Sequence, residues 1–166
     1  TCQSEPSAVT TVTVNPLPAA VAGTARIICA GQSTVIGAAA VAGSTYSWSS
    51  VPAGFTSTLA NPSVSPVVTT TYTLTETVTA TGCSNSNSVV VTVNPLPAAL
   101  AGSDRAICAG QSTILGAAAV TGSTYSWISV PAGFSSSQCN PAVNSSVTLR
   151  HTLIETITVT GCTYSN

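Results

Sequence analysis

The chain has no lysine and no methionine, and charged residues make up 4% of its 166 residues. Without lysine, no Lys-to-Asn isopeptide staple can form. The arginines Arg26, Arg105 and Arg150 are scattered, whereas a nucleic-acid partner needs clustered cations on many phosphates, so that class is excluded. The acids are Glu5, Glu76, Asp104 and Glu155, beside a single histidine, His151. General acid–base chemistry needs converging titratable groups, and no two carboxylates here are close in sequence, so no catalytic residue is assigned and an enzyme is not expected. Calcium would want several carboxylates on one loop, and zinc would want Cys or His at short spacing; neither pattern exists, so no metal ligand or cofactor is assigned. No apolar run approaches the roughly 20 residues of a bilayer span, so no membrane span is expected. With no start methionine, basic n-region or apolar h-region, the sequence reads as a processed chain or a section of one.

What is abundant is Thr, Ser, Ala and Val. Hydroxyls rather than charges must keep this surface wet, which leaves little repulsion between copies and tolerates self-association. The six cysteines fall in repeat-related positions within a β-type composition, favouring an oxidising, extracellular compartment.

The chain repeats itself. NPLPAA, CAGQST, GSTYSW, VPAGF and TGC each return at an offset of about 79 residues, as Cys29 returns at Cys108 and Trp48 at Trp127. The opening segment matches the end of a repeat, because residues 12–15 and 91–94 both read VTVN before PLP. Three segments are therefore expected: an N-terminal strand over 1–15, a first repeat over 16–94 and a second over 95–166, the second lacking its own last strand. The paired prolines of NPLPAA favour a stiff, extended connection and hence a rod.

Helix signals are absent, since Pro and Gly recur and no apolar 3.6 period survives three turns. In the first repeat, residues 33–40, 45–50, 63–69 and 71–79 read as short strands, with Tyr46 and Trp48 on one face of the second and Tyr72, Leu74 and Val78 on one face of the fourth. Trp48, Trp127, Tyr72, Leu74 and Leu153 are the expected core, with Phe55 and Phe134 as plugs. His151, which replaces Tyr72, is expected to be a half-buried packing residue rather than a base. Glu76 and Glu155 fall on the same apolar phase. Either a bulge turns them outward or each finds a hydrogen-bonded partner, and the bulge is the expectation.

Six or seven strands per repeat, separated by turns such as PAGF and ANPS, specify an all-β fold of two tandem immunoglobulin-like sandwiches. In that frame Cys29 precedes the second strand and Cys83 follows the sixth, at the same end of the sandwich. The expected intra-repeat disulfides are Cys29 with Cys83 and Cys108 with Cys162, each closing a loop that would stabilise its sandwich by about 4 kcal/mol.

The run VNPLPAAxAGxxRxICAGQST, with TYSW, PAGF, TYTLTET and TGCSNSNSVVVTVN, resembles the immunoglobulin-like or PKD-like tandem repeats of large secreted Bacteroidetes surface proteins. The resemblance covers nearly the whole chain. It implies an extracellular β-sandwich used in stalks, adhesins and fibres, and no catalytic residue.

A sandwich without its last strand exposes two strand edges and an apolar groove. By repeat equivalence the filler is Ala8, Val9, Thr10, Thr11, Val12, Thr13 and Val14. Donation to the next copy, head to tail, gives an open homopolymeric filament. Two cysteines remain, Cys2 and Cys139, and both are expected at the end where the donated strand enters. A Cys2–Cys139 bond between subunits would then lock the exchange. The alternative is a window of a longer tandem-repeat adhesin that binds cell-surface or matrix glycans through exposed aromatics.

Overall fold

A computed structural model describes residues 10–166. They form several β-sheets, and no helix occurs among the described residues. By contact the chain divides into two units. One comprises the described residues up to Ala25 with 34–64 and 70–90; the other comprises 26–33, 65–69 and 91–166. The boundary expected between Asn94 and Pro95 thus falls inside the second unit.

In the first unit β3 (Ser44–Val51) pairs antiparallel with β5 (Thr70–Val78), Trp48 lying opposite Leu74. Alternation is as read from the sequence: Trp48, Tyr72 and Leu74 are buried while the intervening Ser and Thr face outward or sit part-way. The strands expected over 33–40 and 63–69 shrink to β2 (Thr34–Val35) and β4 (Ser63–Val64), paired with each other. Gly37 ends the first of these. Its φ is 81°, and a Cβ there would overlap the carbonyl oxygen of Ala60. Trp48 lies over this turn and donates its indole N–H to the Leu59 carbonyl at 2.9 Å, so the buried ring leaves no orphan donor.

The long strand β6 (Ser84–Asn94) lies beside β5 in the order β1-β6-β5-β3. Its last four residues pair in parallel with β1 (Arg26–Cys29), from Arg26 opposite Val91 to Cys29 opposite Asn94. β1 is absent from the sequence reading.

The second unit follows the same plan. β8 (Ser123–Val130) pairs with β11 (Arg150–Ile157), and β7 (Ser112–Ile114) with β10 (Ala142–Asn144). β9 (Ser135–Ser136) flanks β8, and β12 (Thr163–Ser165) flanks β11. Trp127 and Leu153 form the core with Ala99, and Leu115, Tyr125 and Phe134 pack around them.

The bulge expected at Glu76 and Glu155 does not form. Both carboxylates are buried, and β3 and β8 stay in register past them. Instead Glu76 accepts the Ala20 N–H at 2.8 Å, and Glu155 accepts the Ala99 N–H at the same distance. Ala20 and Ala99 are the described non-glycine residues with positive φ, 48° and 44°. The carboxylate therefore holds the end of each NPLPAA segment in a backbone conformation that an L-residue disfavours by about 1–2 kcal/mol.

Candidate functional site

The first repeat shows what a completed edge looks like. Val89 and Val91 of β6 are buried, Val91 entirely, at 0% exposure. Ala22, Ile28, Ile36 and Tyr72 of the same repeat are buried too. Tyr72 meets the Phe55 ring edge-on at 5.2 Å, and burial pushes its hydroxyl pKa up against the opposing effect of a hydrogen bond with Thr70. Phe55 is placed by the VPAGF turn, where its N–H donates to Ser50 Oγ and that hydroxyl donates to the Pro52 carbonyl.

The equivalent positions of the second repeat are open. Ile107, the counterpart of Ile28, rises from 8% to 40% exposure. Ala101, Leu115 and His151, the counterparts of Ala22, Ile36 and Tyr72, are only partly buried. They line a groove of about 460 Å³ whose floor includes Trp127 and Val143. Residues 105–108, equivalent to β1, carry no strand, and Arg105, Ala106 and Ile107 line one side of the groove.

The last strand expected to be missing is begun: β12 pairs with residues 154–156 of β11, and Asn166 and Leu153 exchange two backbone hydrogen bonds. Among the described residues, Arg150, His151 and Thr152 pair only with β8. Within this stretch His151 lines the groove.

His151 packs edge-on against Phe134 at 5.1 Å, as Tyr72 does against Phe55. It is a packing residue, as expected, with one difference. Its Nδ1 is buried without a hydrogen-bond partner, and burial pushes its pKa below 6.5.

Of the expected donor strand, Ala8 and Val9 lie outside the described residues, as does Cys2. Thr10, Thr11, Val12, Thr13 and Val14 form no strand, and Val12 and Val14 are 81% and 86% exposed.

The cysteine pairing corrects the sequence expectation. Cys29 is bonded to Cys162, and Cys83, Cys108 and Cys139 are free. Cys29 and Cys83 are expected at one end of a sandwich, but β1 carries Cys29 to Asn94, the far end of an 11-residue strand whose near end adjoins Cys83. At about 3.3 Å per residue these ends are some 35 Å apart, far beyond disulfide reach. Cys29 and Cys162 both belong to the second unit. Cys139 is half-buried, and its Sγ donates to Asn140 Oδ1.

The tryptophans are buried, and the Tyr46 and Tyr125 hydroxyls accept the N–H groups of Val41 and Val120, so these rings are packed in place. Among the described residues no group of three or more His, Cys, Asp or Glu is placed to hold a metal ion, and no helix is long and apolar enough to cross a membrane. No protein-family model matches the chain, and no curated protein matches it significantly.

Proposed function

We propose that the protein is a structural subunit of an extracellular filament or surface stalk, built from immunoglobulin-like repeats joined head to tail by strand donation. The second unit offers the groove, and residues 8–14 of the next copy fill it. One observation carries the reading: Ala22, Ile28, Ile36 and Tyr72 are buried in the first repeat while their counterparts in the second line an open groove, and VTVN recurs at 12–15.

The register follows from the first repeat. There Arg26, Ile27, Ile28 and Cys29 face Val91, Thr92, Val93 and Asn94 in parallel. Repeat equivalence sets Val12, Thr13, Val14 and Asn15 of the incoming copy against Arg105, Ala106, Ile107 and Cys108. Val12 then takes the fully buried place of Val91. The backbone hydrogen bonds give affinity and the alternate valines give specificity. A Cys2–Cys139 bond at the entry end would make the exchange covalent. The subunit acts by geometry and persistence, outside the cell, and its principal partner is itself.

Sedimentation velocity with negative-stain imaging tests the reading. The wild-type chain should give beaded filaments or a ladder of oligomers, and the Val12→Asp/Val14→Asp variant should give single particles. A wild-type chain that stays monomeric at high concentration would count against it.

A further inference from the structure

We infer a second intersubunit disulfide, between Cys108 of one copy and Cys83 of the copy that donates its strand. The inference rests on the head-to-tail reading above. The bond observed within the chain joins a β1-position cysteine of one repeat, Cys29, to a cysteine between the last two strands of the following repeat, Cys162. The repeat equivalents of these two are Cys108 and Cys83, and both are free.

Cys108 is at the β1 position of the second repeat, and by that rule its partner belongs to a repeat that follows. Cys83 lies between the last two strands of the first repeat, and by the same rule its partner is a β1-position cysteine of a repeat that precedes. Strand donation supplies both. When residues 10–14 complete one copy's second repeat, the incoming chain continues through NPLPAA into its own first repeat, as residues 89–99 do within one chain. The succession of repeats across the junction is then the same as inside the subunit. The bonding rule that joins Cys29 to Cys162 therefore joins Cys108 to Cys83 of the next copy. Exposure agrees, since Cys108 is exposed and Cys83 is half-exposed in the free chain.

The bond forms by exchange with a low-molecular-weight disulfide as oxidant. The Cys108 thiolate attacks that disulfide and releases one small thiolate. The Cys83 thiolate of the next copy then attacks the mixed disulfide at the Cys108 sulfur and releases the second. The oxidant takes up two electrons and the two protons from the cysteines, leaving as two small thiols.

The test assembles full-length chains, half of them isotopically heavy, in a buffer of oxidised and reduced glutathione. The products are blocked with an alkylating agent and digested with chymotrypsin. Cleavage after Leu74, Leu100 and Leu115 puts Cys83 and Cys108 on separate peptides. The expected result is a Cys83–Cys108 peptide pair in mixed light and heavy form. A Cys2→Ser/Cys139→Ser variant should still give a non-reducing ladder, and adding Cys108→Ser should abolish it. Filaments without the Cys83–Cys108 pair would overturn this inference and leave strand donation standing. The pair found only in unmixed form would also overturn it. Monomers without the pair would overturn both.

Discussion

Glu155 Oε2 accepts the backbone N–H of Ala99 at 2.8 Å, and Glu76 repeats the contact with Ala20 across the same sequence separation. A buried carboxylate on an otherwise apolar strand face thus fastens the segment that enters each unit. Glu76→Ala or Glu155→Ala should lower unfolding stability by about 2–3 kcal/mol, since a buried donor loses a charged acceptor. The Gln variants, which keep an acceptor oxygen, should cost less. Denaturant unfolding of the four variants checks the order.

The Cys29–Cys162 bond spans a sequence separation of 133. In the chain-entropy model closing such a loop is worth about 5 kcal/mol, and measured losses on removing native disulfides run at about 2–5 kcal/mol. Cys29→Ser should therefore lower the unfolding midpoint markedly. Cys83→Ser, which removes a free thiol, should leave the isolated monomer within about 0.5 kcal/mol of wild type. Thermal unfolding under non-reducing conditions compares the two.

His151 titrates below its ordinary value of 6.5 because burial disfavours the imidazolium. Between the folded and unfolded pKa values the unfolded chain binds more protons, so stability is complete above pH 6.5 and falls as pH drops below it. Asp104 and Arg105 line the same groove, so His151→Tyr is the control that isolates the imidazole. Unfolding measured from pH 8 to 5 should show a decline in the wild-type chain that is smaller in His151→Tyr.

Period-two alternation made β3 and β5 legible, because one face of each packs against the core and the other meets water. Trp48, Tyr72 and Leu74 followed from that pattern. What escaped was set by contacts far apart in sequence. The Ile27–Ile28 pair between Arg26 and Cys29 was the available signal for β1, but its parallel partner lies more than sixty residues on. That omission put Cys29 at the wrong end of the sandwich and produced the wrong disulfides. Glu76 and Glu155 were misread for a related reason. Alternation marks a residue as inward-facing but does not reveal the backbone N–H waiting there. The repeat phase pointed to an apolar groove in the second repeat; the groove present there is lined by Asp104, Arg105, Ser145, Ser146 and Thr148 as well as by apolar residues, and its side at residues 105–107 needed β1 to be seen.

Amide hydrogen exchange reports directly on whether the second unit's groove receives residues 8–14 of another copy. The Val12→Asp/Val14→Asp chain, unable to donate but able to accept, is titrated with a synthetic peptide of residues 8–15. Saturable slowing of exchange is expected at residues 105–108 and at 150–152, and no slowing with a peptide carrying the same two aspartates. Unchanged exchange at both segments under saturating wild-type peptide would contradict strand donation into the groove.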